Sequence, residues 1–277
     1  MQRLLTALVA TPVLLTAVFL LPAGWFFALA VLVVDWAALE YVGLVRPGAP
    51  GAPLKVLLVL VPPAAVGLWL ATAATGPVPS QVVSLQALAA GLVLTVGVGA
   101  LVLLARTPVH EALPAIGAFA FGLPYFSLAA LGLGRLQQID PWLLFLGFAI
   151  VFLGDTSAFY VGSRYGRHKM APVVSPNKSW EGAVAGLVTG ILAAAVWSWL
   201  RLGAVLPELL VVALATSVAA QVGDLVESML KRGSGVKDSG RTFPGHGGIL
   251  DRADATFFAM PVLLLGVWLL GPETLVP

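Results

Sequence analysis

Cysteine is absent from the 277 residues, and charge is almost as scarce, since Asp, Glu, Lys and Arg together make up 10%. The first absence excludes disulfides, thiolate metal sites and cysteine nucleophiles, and leaves the compartment open. The second excludes an ordinary soluble domain, in which roughly a quarter of the residues are charged. Two motifs are also missing. No GxxxxGK[ST] occurs, which removes a Walker A nucleotide site, and there is no Asp-Gly dipeptide. With a net charge of only +2, no nucleic-acid partner is expected.

What is present is apolar. Hydrophobic residues make up 59% of the chain, and the mean hydropathy is +0.98. Val56 to Ala105 carries no charge at all, room enough for two membrane helices of about 20 residues each. Runs bounded by Pro, Gly and charge predict nine spans, at roughly 4–22, 23–45, 54–74, 82–105, 112–133, 141–163, 182–201, 205–226 and 253–270. In a bilayer these should be helices, because every backbone N–H and C=O must be satisfied internally. Pro62-Pro63 is expected to kink the third. The first segment resembles a signal peptide in its single basic residue and apolar run, and is read as a retained span. The expected fold is therefore an all-α integral membrane protein, one polytopic helical bundle over residues 1–277. Within it, 1–105 would form the N-terminal helices and 106–277 the C-terminal helices, with polar loops at 164–181 and 227–252.

Charge orients this arrangement. With a cytoplasmic N-terminus, thirteen of the fifteen basic residues fall on the cytoplasmic side, leaving Arg135 and Arg201 opposite. Both polar loops then share the cytoplasmic face, since a helical pair separates them. Asp155, Asp224 and Glu227 lie towards the cytoplasmic ends of their spans, as does Glu40, while Asp35 sits deeper. A carboxylate in a membrane is costly unless paired, hydrated or metal-bound, so each is a functional candidate. For Glu40 a helix-end acid reaching out to water serves equally well, and for Glu111, Asp140, Glu208 and Glu273 it is the favoured reading.

The stretch from Gly223 to Asp254 concentrates the charge: Lys231, Arg232, Lys237, Arg241 and Arg252 alternate with Asp224, Glu227, Asp238, Asp251 and Asp254. Interleaved acids and bases suit a phosphate ligand that carries its own metal, with carboxylates on the cation and Lys/Arg on the remaining anionic oxygens. Asp224 and Asp251 stand at opposite ends of the loop, which would return them towards each other if the flanking helices are neighbours. The glycines at 233, 235, 240, 245, 247 and 248 permit close backbone approach to an anion, and a structural turn explains them equally well. His246 has phosphate, metal and purely structural readings. The second loop adds Ser175, Asn177 and Lys178, which suit a polar ligand, while Ser179 and Trp180 also read as a helix cap and an interfacial anchor.

Ser228, Lys231-Arg232, Lys237-Asp238, Pro244-Gly245-His246-Gly247-Gly248 and Asp251-Arg252-Ala253-Asp254, at their spacing here, resemble the signature of the phosphatidate cytidylyltransferases, also called CDP-diacylglycerol synthases. Ser175–Gly182 and Gly154-Asp155-Thr156 resemble that family too, whereas the N-terminal half agrees with it only in hydropathy. The resemblance implies transfer of a cytidylyl group from CTP to phosphatidate, giving CDP-diacylglycerol and pyrophosphate at a bacterial plasma membrane. It implies Mg²⁺ on Asp224 and Asp251, with a second cation left open and with Asp155 and Asp254 assisting the metal or ordering the basic residues. It places Lys231, Arg232, Lys237, Asp238, His246 and Arg252 in the catalytic machinery, and Ser175, Asn177, Lys178, Ser228, Gly247 and Gly248 at the substrates. It also implies a homodimer.

Other classes fit parts of the pattern. A CTP-dependent lipid-alcohol kinase would use similar residues and release CDP. An ion-coupled transporter would use intramembrane acids, although here the charges gather at one face rather than at the midplane. A CDP-alcohol phosphotransferase is disfavoured because its Asp-Gly pattern is absent, and a non-catalytic anionic-lipid binder would need the bases but not Asp224 or Asp251.

Overall fold

A computed structural model describes residues 2–45, 60–61, 64, 66, 93, 96–101, 103, 107, 109–240, 242 and 247–276. Among the described residues the continuous helices are α1 (Gln2–Leu20), α2 (Ala23–Leu44), α3 (Val109–Ile139), α4 (Pro141–Tyr165), α5 (Trp180–Leu202), α6 (Pro207–Gly233) and α7 (Leu250–Leu270), followed by a short 3₁₀ turn at Pro272–Thr274. The expected spans at 54–74 and 82–105 lie largely outside the described residues.

Among the described residues, six helices are long and apolar enough to cross a membrane: all of α2, α4, α5, α6 and α7, and Ala112–Ile139 within α3. The chain is an integral membrane protein built mainly of helix. One feature departs from the expected all-helical plan. Between α4 and α5 the polar segment forms an antiparallel hairpin, β1 (Lys169–Ala171) with β2 (Ser175–Ser179), pairing Lys169 with Ser179 and Ala171 with Ser175 across an irregular register.

The helix ends follow local chemistry. Asp140 accepts the Trp142 amide at 2.9 Å, and Pro141 fills the first position of α4, where its missing N–H costs nothing. Asp140 also pairs with Arg201 in the last turn of α5, at 2.7 Å. It is thus a buried capping and pairing group rather than an acid reaching out to water. Ser179 caps α5 through the Gly182 amide, and Gly203 closes that helix in the left-handed conformation at φ +73°. The Gln137 amide donates to the carbonyls of Val18 and Leu21 at the end of α1.

Small residues set how closely the helices cross. A Cβ on Gly182 of α5 would lie 2.6 Å from the Ala158 carbonyl of α4, and one on Gly223 of α6 would lie 2.8 Å from the Asp254 carbonyl of α7. Such crossings replace a hydrophobic driving force, which lipid does not supply between helices, with close packing. Tyr41, Phe119, Phe126 and Phe257 are fully buried where α2, α3 and α7 meet, and the Tyr41 hydroxyl donates to the Ala118 carbonyl at 2.8 Å. This packing holds the end of α2 against the start of α7, where the polar segments gather.

Candidate active site

Helix α6 continues past the expected end of its span, through to Gly233. The extra turns put Asp224, Glu227, Ser228 and Lys231 on one face, at positions i, i+3, i+4 and i+7. The connection to α7 is correspondingly short, because α7 already begins at Leu250 and carries Asp251, Arg252 and Asp254 in its first turns.

Two lysines organise the acids. Lys178, in β2, reaches across to Asp224 at 2.6 Å, so the two polar segments meet directly. Arg232 adds a second link, its Nε donating to the Val174 carbonyl at 3.4 Å. Lys231 lies deeper, between Glu227 of its own helix at 2.5 Å and Asp251 of α7 at 2.7 Å. Glu227 is buried and Lys231 and Asp251 are half-buried, with side-chain exposures of 3, 15 and 7%, so their charges are settled largely within the trio.

Asp251 does more than hold Lys231. Its second oxygen accepts the Ser239 amide at 2.8 Å, the Ser239 hydroxyl at 2.9 Å and the Gly248 amide at 2.7 Å. Four donors therefore engage this carboxylate. Asp224 has a different partner set, Lys178 on one oxygen and Ser228 at 3.5 Å on the other. The two acids expected to share a metal thus serve separate lysines.

Asp224 has other acidic company. Asp155 of α4 and Asp254 of α7 each interact electrostatically with it, and with one another. The Gly223 crossing produces this proximity by bringing α6 against the Asp254 turn of α7. Among the described residues no three His, Asp or Glu side chains stand at the spacing of ligands to one metal ion. The donor chemistry still suits Mg²⁺, since Asp155, Asp224 and Asp254 offer only hard carboxylate oxygens from three helices. Asp251, committed to four donors, is the poorer match.

The remaining candidates are distributed as follows. Asn177, Lys237, Asp238 and Arg252 are exposed, and Ser175 and Ser228 are half-buried. Gly247 adopts φ +79°, open to glycine but strained for other residues, and Gly248 is buried. His246 lies outside the described residues.

Glu40 is the residue whose role the sequence left undecided. Its carboxylate, 9% exposed, accepts the Thr242 hydroxyl at 2.6 Å, the Ile249 amide at 3.1 Å and the Leu250 amide at 2.9 Å, and at 3.0 Å it shares with Asp251 the single proton of the Ser239 hydroxyl. The glycines take their meaning from this. A Cβ on Gly240 would lie 2.5 Å from a Glu40 oxygen, one on Gly248 would lie 2.5 Å from the Glu40 carboxylate carbon, and one on Gly247 would collide with Asp251. At these three positions the anions that approach the loop are the protein's own carboxylates.

A model of the cytidylyltransferase family matches residues 1–270. Phosphatidate cytidylyltransferase of Staphylococcus saprophyticus is 42% identical over 144 residues, 50% of this chain and 55% of that protein. The proteins of the same name from Haemophilus influenzae and Brucella abortus are 40% identical over 131 and 169 residues, covering 44% and 56% of this chain and 46% and 59% of theirs. The chain therefore spans about half the length of the curated relatives it matches. Taken with the family-wide match, these likenesses place the chain in the cytidylyltransferase family.

Proposed function

We propose that this protein transfers the cytidylyl group of CTP to phosphatidate. An anionic oxygen of the lipid phosphate attacks the α-phosphorus of CTP, a new P–O–P linkage forms, the bond between the α-phosphorus and the bridging oxygen to the β-phosphorus breaks, and pyrophosphate departs. The attacking phosphomonoester, with a second pKa of about 6, is already largely ionised near neutral pH and requires no dedicated base. What the reaction requires is neutralisation of two mutually repelling anions and alignment for in-line displacement.

The observation that carries this reading is the Lys178–Asp224 pair, which joins two mixed-charge segments separated by a pair of membrane-length helices. Around it, Lys178, Arg232, Lys237 and Arg252 would hold phosphate oxygens, Ser175, Asn177 and Ser228 would contact the substrates, and Asp238 and His246 would complete the polar set. Lys231, held by Glu227 and Asp251, keeps one of its three N–H donors for a phosphate. Asp224, with Asp155 and Asp254, would hold Mg²⁺, and bound there it would supply Lewis-acid neutralisation of phosphate oxygens. Asp251 would act by ordering the loop that contains Gly247 and Gly248.

The same reading has nine spans, a cytoplasmic N-terminus and reaction at the cytoplasmic face, supported by the asymmetry of thirteen basic residues against two. It has one membrane domain over residues 1–277 and a homodimer as the working form. Incubating purified protein with phosphatidate and CTP labelled at the α-phosphate, with and without Mg²⁺, tests the chemistry. Label in a lipid product with stoichiometric pyrophosphate is expected; a parallel incubation with a lipid alcohol, diacylglycerol, in place of phosphatidate would release CDP if the protein were instead a kinase, and absence of turnover in both would remove the enzyme reading.

A further inference from the structure

The start of α7 has an unusual cap. Its N-cap residue, Ile249, has no side-chain acceptor, so the first amides of the helix have no local partner of the usual Ser, Thr, Asp or Asn type. Glu40 supplies that partner from α2, at sequence separations of 209 and 210. One oxygen takes the Ile249 amide and the other the Leu250 amide, where the helix dipole also favours a negative charge.

The same two oxygens hold the far end of the loop. Thr242 donates to one and Ser239 to the other, so a single buried carboxylate fixes both ends of the segment from 239 to 250. One turn further along α2, the Leu44 carbonyl accepts the Ser234 hydroxyl at 2.6 Å. The C-terminal turn of α2 is thus a platform on which the signature loop is seated. Ser239 also touches Asp251, which links this platform to Lys231 and through it to Glu227 on α6.

We propose that Glu40 is a positioning residue for cytidylyl transfer, setting the loop between α6 and α7 against the Lys231–Asp251 pair. The proposal rests on the transferase reading above. Glu40 touches neither substrate; it acts through Ser239, Thr242 and the first amides of α7. Glutamine at this position keeps the size but replaces one acceptor oxygen with an NH₂ group, so the Ile249 or Leu250 amide facing it loses its acceptor, while the hydroxyl beside it must turn from donor to acceptor.

The test uses the full-length protein in detergent, comparing wild type with Glu40→Gln by steady-state kinetics and by hydrogen exchange. Expected in the variant are exchange over 239–250 faster by about tenfold, kcat lower by about tenfold or more, and a KM for CTP changed by less than about threefold. A merely structural glutamate would reduce the yield of folded protein and leave kcat per folded molecule intact. Unchanged exchange, or faster exchange with wild-type kcat, overturns the proposal. Should Glu40→Gln fail to fold, the double variant Ser239→Ala, Thr242→Val removes the loop anchors and leaves the helix cap; the same drop in kcat is expected, and wild-type kcat overturns the proposal. If wild type itself releases no pyrophosphate, the transferase reading fails, an outcome distinct from an active wild type matched by an equally active Glu40→Gln.

Discussion

Lys178 and Asp224 meet at 2.6 Å, joining a strand of the hairpin to a helix of the membrane bundle. Both side chains are partly exposed, at 26 and 35%, and a pair so placed contributes about 0–1 kcal/mol to stability. Its position between the two polar segments therefore points to chemistry rather than to holding the fold together. Asp224→Asn is expected to lower turnover by about a hundredfold while shifting the unfolding temperature little. Pyrophosphate release and a thermal melt on the same preparation check both halves, and a large loss of stability with preserved turnover would reverse the assignment.

The Lys231 trio, unlike the Lys178–Asp224 pair, should also matter for stability. Lys231, Glu227 and Asp251 are 15, 3 and 7% exposed, and removing the ammonium leaves two carboxylates buried together without it. Breaking such a cluster costs about 3–5 kcal/mol, whereas Glu227→Gln keeps a polar partner for Lys231 and should cost less. Denaturant or thermal unfolding in detergent is expected to rank Lys231→Met as far less stable than wild type, with Glu227→Gln between them. Equal stability of all three proteins would show that the trio is solvated rather than buried.

Metal dependence separates two kinds of acid. If Asp155, Asp224 and Asp254 hold Mg²⁺, then Asp155→Asn should raise the Mg²⁺ concentration for half-maximal turnover by about tenfold, because one hard oxygen donor is lost. Asp251→Asn should instead lower the maximal rate, since it disrupts the bonds to Ser239, Gly248 and Lys231, and leave the Mg²⁺ midpoint near that of wild type. A shifted midpoint in Asp251→Asn and an unshifted one in Asp155→Asn would return the metal to Asp251.

Much of this was legible in the chain, and the reasons for the remainder are physical. Hydropathy placed the ends of α2, α4, α5 and α7 within a few residues because apolar length is set by the bilayer. Ser179 was readable as a cap because its partner, Gly182, is three residues away. The extension of α6 was hidden, since an amphipathic turn rich in charge looks like a loop when apolar runs define the helices. Glu40 was hidden more deeply, because its partners lie 199 to 210 residues away and no local pattern announces them. A signal did exist in combination: a helix start at Leu250 with no capping residue, and a carboxylate at the end of an apolar helix. Likewise, the proximity of Asp224 to Asp254 depends on the Gly223 crossing, a property of packing rather than of spacing.

The loop glycines allow the sharpest contrast. Glycine richness suggests a cradle for phosphate, yet Gly240 and Gly248 leave room for Glu40. An added methyl at Gly240 would stand 2.5 Å from a Glu40 oxygen and 2.7 Å from its carboxylate carbon. A flexible side-chain end would ordinarily move aside, but this one accepts four hydrogen bonds and loses them by moving. Gly240→Ala is therefore expected to lower kcat by about tenfold, in parallel with Glu40→Gln, and the two changes combined should cost little more than either alone. Gly233 provides the comparison, since a Cβ there meets nothing within 4 Å and the position belongs to helix α6. Gly233→Ala should retain wild-type turnover and, by restricting the unfolded chain, gain up to about 1 kcal/mol of stability. Additive losses in the Gly240→Ala, Glu40→Gln double variant would show that the glycine serves some purpose other than admitting that carboxylate.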